Sequence, residues 1–365
     1  MNKKKIMFVI TSMNSGGAER VMSILLNEAV KQNYDVTLLL TLSGKVHYTL
    51  SKSVRIISVS DILKQKRKKK NKRNIILCMR EMFKKESPDL VVSFMTMMNI
   101  YSIIAMQGLK TPIIVSERND PDKECPSKIK KIIRNICYNK ADGIVFQTTD
   151  ASLLFSQEIR RKSKVIANPV KKDLPNWKGM NSNIVVAVGR LEKQKNYPVM
   201  FDAFNHFHQD YPEYELHVYG DGHLKEELEC LIKNIKADKY IFLDGVQEDV
   251  HSLTRNARMY LLSSDYEGIP NALLESLAIG IPCIATDCPC GGVHQLIQNG
   301  ENGYIIPVRD SDALYNAMKE IIKDPDKAIR ISRKAVLTRN TYSEELICSK
   351  YFEYFKEIMV AYEQK

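Results

Sequence analysis

The stretch Lys171-Lys-Asp-Leu-Pro-Asn-Trp-Lys-Gly-Met-Asn-Ser-Asn183, followed directly by Ile184-Val-Val-Ala-Val188, decides the fold. Its first thirteen residues are polar, carry Pro175 and Gly179, and show no apolar periodicity, so they read as a hinge. Short apolar runs precede it at 6–10, 36–40, 54–58, 90–94, 112–116 and 143–147, with a shorter one at 164–167. The alternation restarts at 184–188 and continues at 215–219, 240–243, 259–263, 282–286 and 304–306. Helical patterns lie between the runs: one from Ala18 with Val21, Ile24, Leu25 and Ala29 inward, one over 74–86, and five over 197–208, 223–235, 270–279, 292–298 and 311–323. Strand and helix in alternation predict parallel sheets covered on both faces, here twice over. The expected domains are 1–175 and 176–341, with a helical tail over 342–365 packing back toward the first domain. Ligands are then expected in the cleft the two domains face, at the carboxyl ends of the strands.

Composition narrows the class of protein. A chain of 365 residues, 44% hydrophobic and 27% charged, is too long for one ordinary core and too apolar for global disorder. Residues 6–10 supply only five apolar positions before Thr11 and read as a buried strand rather than a leader. The uncharged stretch Leu90–Leu109 carries Ser93, Thr96, Asn99, Ser102 and Gln107, so a strand, a turn and a helix start explain it better than a membrane span. Eight irregularly spaced cysteines fit reduced thiols in cytoplasm.

Charge is unevenly placed. Residues 1–175 hold 33 Lys/Arg against 15 Asp/Glu, whereas 176–365 hold 21 against 28, so the first half is built to meet something anionic. Lys64-Gln-Lys-Arg-Lys-Lys-Lys-Asn-Lys-Arg73 concentrates eight cations without an interleaved aromatic residue. No base-stacking module accompanies it, which argues against nucleic acid. An anionic membrane surface met by residues 64–86 is the expected partner; a plain solvated loop is the alternative.

The most informative block is Ser263-Ser-Asp-Tyr-Glu267-Gly-Ile-Pro270-Asn-Ala-Leu-Leu-Glu275-Ser-Leu-Ala-Ile-Gly280. A strand ends at Ser263, Pro270 opens a helix and Gly280 closes it. The backbone N–H groups of Gly268, Ile269, Asn271 and Ala272, around Pro270, favour an electron-rich ligand. Glu267 precedes the helix, and Glu275 lies about 7.5 Å along it from Pro270. Two carboxylates so arranged suit the two ends of an elongated ligand better than one scissile bond.

After the first strand of the second half, Val188-Gly-Arg190-Leu-Glu-Lys-Gln-Lys195-Asn196 places two cations, Arg190 and Lys195, on a tight loop where they can neutralise a diphosphate. In the first half, Gly16 and Gly17 allow a close backbone approach, at a spacing that fits neither a dinucleotide fingerprint nor a P-loop. Metal-ligand patterns are weak. Cys288-Pro-Cys290 has no second pair, Asp120-Pro-Asp122 and Asp324-Pro-Asp326 read as turns or helix boundaries, and the histidines at 206, 208, 217, 223, 251 and 294 form no ligand set.

With Ser15-Gly-Gly-Ala-Glu-Arg20, Ser93-Phe-Met-Thr96 with Asn99, Ser116-Glu-Arg-Asn119, Asn168-Pro-Val170, Val188-Gly-Arg-Leu191, Gly220-Asp-Gly222, the Glu267/Glu275 block and Thr286-Asp-Cys-Pro289 with Gly291-Gly292, the chain resembles the family 4 glycosyltransferases of GT-B fold that build bacterial capsular, exopolysaccharide or lipopolysaccharide glycans. The resemblance implies two Rossmann-like doubly wound domains and a retaining transfer of a hexosyl or N-acetylhexosaminyl group from a nucleotide sugar, expected to be UDP-linked, without an essential metal or other cofactor. The implied acceptor is a growing glycan on polyprenyl diphosphate, at the cytoplasmic face of the bacterial plasma membrane.

By resemblance, Arg190, Lys195 and Glu267 form the catalytic set. Glu275 binds ribose, the residues from Gly268 to Ala272 meet the donor sugar, and Gly16 and Gly17 shape the donor and acceptor side. Two positions depart from the family. Ser116-Glu117-Arg118-Asn119 stands where many members carry a His, so Glu117, Arg118 or Asn119 is expected to replace its contacts, and Gln295 stands where Glu is common. The alternatives are a GT-B nucleotide-sugar epimerase and a nonenzymatic protein binding anionic lipid or nucleic acid.

Overall fold

A computed structural model describes residues 3–14 and 16–364. Ser15 of the Ser15–Arg20 motif thus lies outside the described residues. The chain forms two compact units, one comprising residues 1–169 with 344–365 and the other residues 170–343.

The first unit contains β1 (Lys5–Ile10), α1 (Gly17–Lys31), β2 (Asp35–Leu40), β3 (Arg55–Ser58), α2 (Val59–Gln65), α3 (Lys72–Glu86), β4 (Leu90–Phe94), α4 (Thr96–Met106), β5 (Ile113–Ser116), α5 (Pro121–Glu124), α6 (Lys128–Tyr138), β6 (Gly143–Phe146), α7 (Thr149–Leu153), α8 (Gln157–Arg161) and β7 (Ser163–Val165). Its seven strands lie in the order β3-β2-β1-β4-β5-β6-β7, and the pairings are parallel. Phe8, Val9, Val91, Val92 and Ile144 are wholly buried, as expected of strands covered on both faces.

The second unit contains β8 (Ile184–Val188), α9 (Tyr197–Asp210), β9 (Glu215–Tyr219), α10 (Lys225–Asn234), β10 (Ile241–Gly245), α11 (Val250–Thr254), β11 (Met259–Leu262), α12 (Asn271–Ile279), β12 (Cys283–Thr286), α13 (Gly292–Leu296), β13 (Tyr304–Ile306), α14 (Ser311–Lys323), α15 (Pro325–Ala335) and α16 (Thr338–Thr341). Its six strands run parallel in the order β10-β9-β8-β11-β12-β13.

The final helix, α17 (Glu344–Glu363), belongs to the first unit. It lays Phe355 edge-on to Phe8, with ring centroids 6.2 Å apart, and Phe352 against Tyr34 at 5.9 Å. These contacts tie the chain's last helix to its first strand and to the turn between α1 and β2.

The uncharged stretch 90–109 resolves into β4, a turn at Met95 with φ 79°, and α4. No helix among the described residues is long and apolar enough to cross a membrane. Both Asp-Pro-Asp segments are helix starts. Asp120 accepts from the N–H of Asp122 and of Lys123, and Asp324 accepts from that of Lys327, while Pro121 and Pro325 occupy first-turn positions. Helix α3 begins two residues before the expected 74 because the Asn71 side chain caps it through the N–H of Asn74.

Candidate active site

In the second unit the strand order reverses between β8 and β11, which are neighbours, with Val185 opposite Met259 and Val186 opposite Tyr260. Crossovers leave these two strands toward opposite edges, so the loops that follow them diverge and leave room for a ligand at the carboxyl ends. The two loops are those that carry Arg190 and Lys195, and Glu267.

Four hydrogen bonds at three consecutive residues, Gln194, Lys195 and Asn196, bind the loops together. The Gln194 side-chain amide donates to the Tyr266 carbonyl at 2.8 Å, and the Asp265 N–H donates to the Gln194 carbonyl at 2.8 Å. Lys195 Nζ reaches Glu267 Oε1 at 2.6 Å, and Asn196 Nδ2 reaches Asp265 Oδ1 at 2.8 Å. Ser264 Oγ donates to the same Glu267 oxygen at 2.8 Å, and Arg309 forks onto Asp265 from the other side. The Lys195 and Glu267 side chains retain only 14% and 10% of their exposure, so the pair is shielded from water and held in one geometry.

Glycines let backbones meet beneath this cluster. A Cβ on Gly220 would lie 2.0 Å from the Gly189 carbonyl oxygen, and one on Gly222 would lie 2.4 Å from that of Leu191, so Gly220-Asp-Gly222 forms the floor of the cationic loop. A Cβ on Gly292 would lie 1.7 Å from the Gly268 oxygen, which brings the start of α13 against the lead-in to α12. Cys288 donates its thiol to the Ser264 carbonyl at 3.2 Å, and burial pushes its pKa up to about 12, so it serves this loop as a neutral donor.

Helix α12 starts one residue later than expected, with Pro270 as its N-cap and Gly280 closing it at φ 91°. Its first-turn amides have no intrahelical acceptor, and they follow Glu267 directly. On its first turns Glu275 Oε2 lies 2.9 Å from His251 Nε2 of α11.

A family model described as "Glycosyl transferases group 1" matches residues 172–337, which include this whole cluster. A Campylobacter jejuni GalNAc-alpha-(1->4)-GalNAc-alpha-(1->3)-diNAcBac-PP-undecaprenol alpha-1,4-N-acetyl-D-galactosaminyltransferase is 31% identical over 331 residues, 88% of this chain and 89% of that one. The chain belongs to the group 1 glycosyltransferases. Among solved structures, Anabaena HepE in complex with UDP and glucose superposes with a TM-score of 0.83 over 97% of this chain and 99% of that one, at 18% identity. The lipopolysaccharide outer core galactosyltransferase WaaB superposes with a TM-score of 0.74 over 97% and 99%, at 20% identity. The two Rossmann-like units therefore form the GT-B fold of a glycosyltransferase related to family 4 bacterial surface-glycan transferases.

In this glycosyltransferase the residues singled out from sequence separate into groups. Lys195, Glu267 and the start of α12 are brought together. Arg190 shares the loop but is 61% exposed and pairs with Glu192 at 3.0 Å, apart from the Glu267 cluster. Gly16 caps the start of α1 with its backbone extended, and Gly17 is that helix's first residue.

Glu117 and Arg118 lie inside the first unit, where the expectation was a sugar contact. Glu117 is 1% exposed and takes hydrogen bonds from Thr96 Oγ1 at 2.7 Å and from the Tyr138 hydroxyl. Burial holds its carboxyl above the usual range against the opposing pull of those donors. Arg118 donates to the Tyr351 hydroxyl of α17 at 3.0 Å and to Asn168 Oδ1 at 2.6 Å, and lies over the Phe94 ring. Asn119, more exposed, donates to Glu124 at 2.9 Å. Gln295 hands its backbone carbonyl to the Tyr342 hydroxyl at 2.8 Å.

Among the described residues no group of three or more His, Cys, Asp or Glu is placed to hold a metal ion. Sequence reasoning missed His251, Asp265, Asn196 and Arg309. Asn196 and Asp265 adjoin singled-out residues, so a signal existed. His251 and Arg309 reach the site from other elements and left none.

Proposed function

We propose that this enzyme is a retaining transferase that moves a hexosyl or N-acetylhexosaminyl group from a UDP-linked sugar to a glycan carried on polyprenyl diphosphate. The observation that carries the reading is the shielded Lys195–Glu267 pair at the strand-order reversal, directly before the amides of α12. Lys195, held in place by Glu267, and Arg190 receive the charge that grows on the departing diphosphate. Glu275 holds the ribose, and Glu267 with residues Gly268–Ala272 meets the donor sugar. As the glycosidic bond to UDP breaks, the acceptor hydroxyl attacks the same face and gives its proton to a donor phosphate oxygen, so no side-chain nucleophile is required.

The names of relatives support this choice of substrates. The Campylobacter transferase acts on an undecaprenol diphosphate glycan, and HepE holds UDP and glucose. The same reading places the enzyme at the cytoplasmic face of the membrane, with Lys64–Arg73 and helix α3 meeting anionic lipid. A second C. jejuni relative, named as a diphospho-undecaprenol 4-alpha-N-acetylgalactosaminyltransferase, matches over 92% of the chain at 24% identity.

A donor screen with membrane-extracted lipid-linked acceptors, read by product mass and anomeric linkage, tests the proposal. An acceptor-dependent product with the donor's configuration is expected. Inverted linkage, or sugar isomerisation without acceptor, overturns it.

A further inference from the structure

Helix α6 is oriented against its own composition. Its sequence, Lys-Ile-Lys-Lys-Ile-Ile-Arg-Asn-Ile-Cys-Tyr, buries the arginine and the tyrosine and turns its isoleucines out. Ile129, Ile132, Ile133 and Ile136 are 71%, 59%, 46% and 56% exposed. They recur at i, i+3, i+4 and i+7, so they form one stripe about 10 Å long.

The inner face fixes this orientation. Arg134 donates to the Pro121 carbonyl at 2.6 Å and lies 4.3 Å from the centroid of the Phe155 ring. The Tyr138 hydroxyl donates to Glu117 and accepts from Asn99 Nδ2 at 2.9 Å, while its ring stacks on Phe155. Ser127 caps the first turn through the N–H of Lys130. A rotation that hid the isoleucines would strip partners from a buried carboxyl and a buried guanidinium.

Neighbouring elements extend the surface. Helix α4 packs beside α6 and exposes Met97 and Ile104, and α3 packs beside α4. Because each of these helices returns the chain to the start of the next parallel strand, α3 to β4, α4 to β5 and α6 to β6, their N-termini lie at one edge of the sheet. That edge also carries the Lys64–Arg73 run, which leads into α3. Lys128 and Lys130 flank the stripe and are exposed, and Lys131 is tied to Asp122 at 2.8 Å.

From this we infer that α6 is the element that seats the enzyme in an anionic bilayer, its isoleucines entering the acyl boundary while Lys128, Lys130 and the 64–73 run meet lipid phosphates. An apolar stripe rimmed by lysines matches that boundary, where one face is hydrocarbon and its margin is negative. A second copy of the chain would set lysine rims against each other. The inference deepens the membrane contact proposed above and rests on it for the lipid-borne acceptor; it keeps the 64–73 run at the lipid phosphates and assigns the apolar insertion to α6 rather than α3.

Full-length protein is sedimented with vesicles of phosphatidylcholine, with and without phosphatidylglycerol. Wild type is expected to bind the anionic vesicles, and Ile129→Ser/Ile132→Ser/Ile133→Ser/Ile136→Ser to lose at least about tenfold in partitioning. Its transfer to a detergent-soluble acceptor should stay unchanged, since the stripe is exposed and remote from Lys195 in sequence. Ile133→Trp, measured against the native Trp177 as baseline, should shift its emission to the blue on those vesicles. Undiminished partitioning by the quadruple variant overturns the inference. So does an unshifted Ile133→Trp emission in vesicle-bound protein, or a lipid-free dimer that the serines abolish. Absence of transfer by wild type in the soluble assay would count against the transferase reading alone and leave the vesicle result standing.

Discussion

His251 Nε2 stands 2.9 Å from Glu275 Oε2, joining α11 to α12 across two side chains that each keep 14% of their exposure. One oxygen of the carboxylate is thereby tied to α11, which sets the orientation of the group proposed above to hold the donor ribose. His251→Phe keeps the ring volume and removes the bond. Its expected effect is a rise in donor KM of about fivefold, corresponding to about 1 kcal/mol, with kcat little changed. His251→Asn should fall between wild type and His251→Phe. Steady-state kinetics with varied donor, and calorimetric titration with UDP, check both.

Lys195 and Glu267 support each other, and their separate roles can be pulled apart. Removing one partner leaves a shielded charge uncompensated, so Lys195→Ala should cost about 3 kcal/mol of stability as well as lowering kcat at least about 100-fold. Lys195→Met/Glu267→Gln removes both charges. It should recover much of the stability lost by Lys195→Ala while transfer stays as low. Urea unfolding beside single-turnover transfer measures the two effects. Recovery of activity in the double variant would show that Lys195 acts only through the fold.

Asn196 adopts the left-handed conformation, φ 46° and ψ 48°, while its side chain holds Asp265. Alanine there keeps the backbone cost and loses the bond, so Asn196→Ala should lower stability by about 1–2 kcal/mol. Asn196→Gly should lose less, by about 1 kcal/mol, because glycine enters that region freely. Gly292→Ala meets backbone rather than a side chain and should cost about 1–3 kcal/mol while weakening donor binding through the displaced Gly268. Chemical denaturation of the three variants, with UDP affinity measured for Gly292→Ala, tests this set.

The strands were legible because buried parallel strands are uniform apolar runs bounded by polar turns. Ile184–Val188, Glu215–Tyr219 and Tyr304–Ile306 match their expected limits residue for residue. The approach of Lys195 to Glu267 was half legible: each loop was recognisable, but the contact depends on β8 and β11 being neighbours, which chain order conceals. Helix α6 shows the sharper limit. The spacing of Ile129, Ile132, Ile133 and Ile136 marks a helix, yet periodicity alone would turn them inward. Only the partners of Arg134 and Tyr138 reverse that choice. The enclosure of Glu117, one of three residues expected to replace the contacts of the family's usual His, was hidden for a similar reason. A carboxylate after a strand suggests a ligand contact unless the hydroxyls of Thr96 and Tyr138 are known to enclose it.

Glu117 gives the protein a pH dependence whose sign is opposite to that of an ordinary paired carboxylate. Burial raises its pKa in the folded state, whereas in the unfolded chain it titrates near the usual glutamate value of about 4.3. Between those two values the folded state binds the extra proton, so this group's contribution to stability is fully present below about pH 4.3 and is lost as pH rises through the folded pKa. Glu117→Gln keeps an oxygen to accept from Tyr138 and removes the titration. Its urea midpoint should therefore exceed that of wild type at pH 7.5 and converge on it as pH falls toward about 4.3, with other carboxylates contributing equally to both proteins. A midpoint difference that grows on acidification would show that the carboxylate is the form the fold prefers.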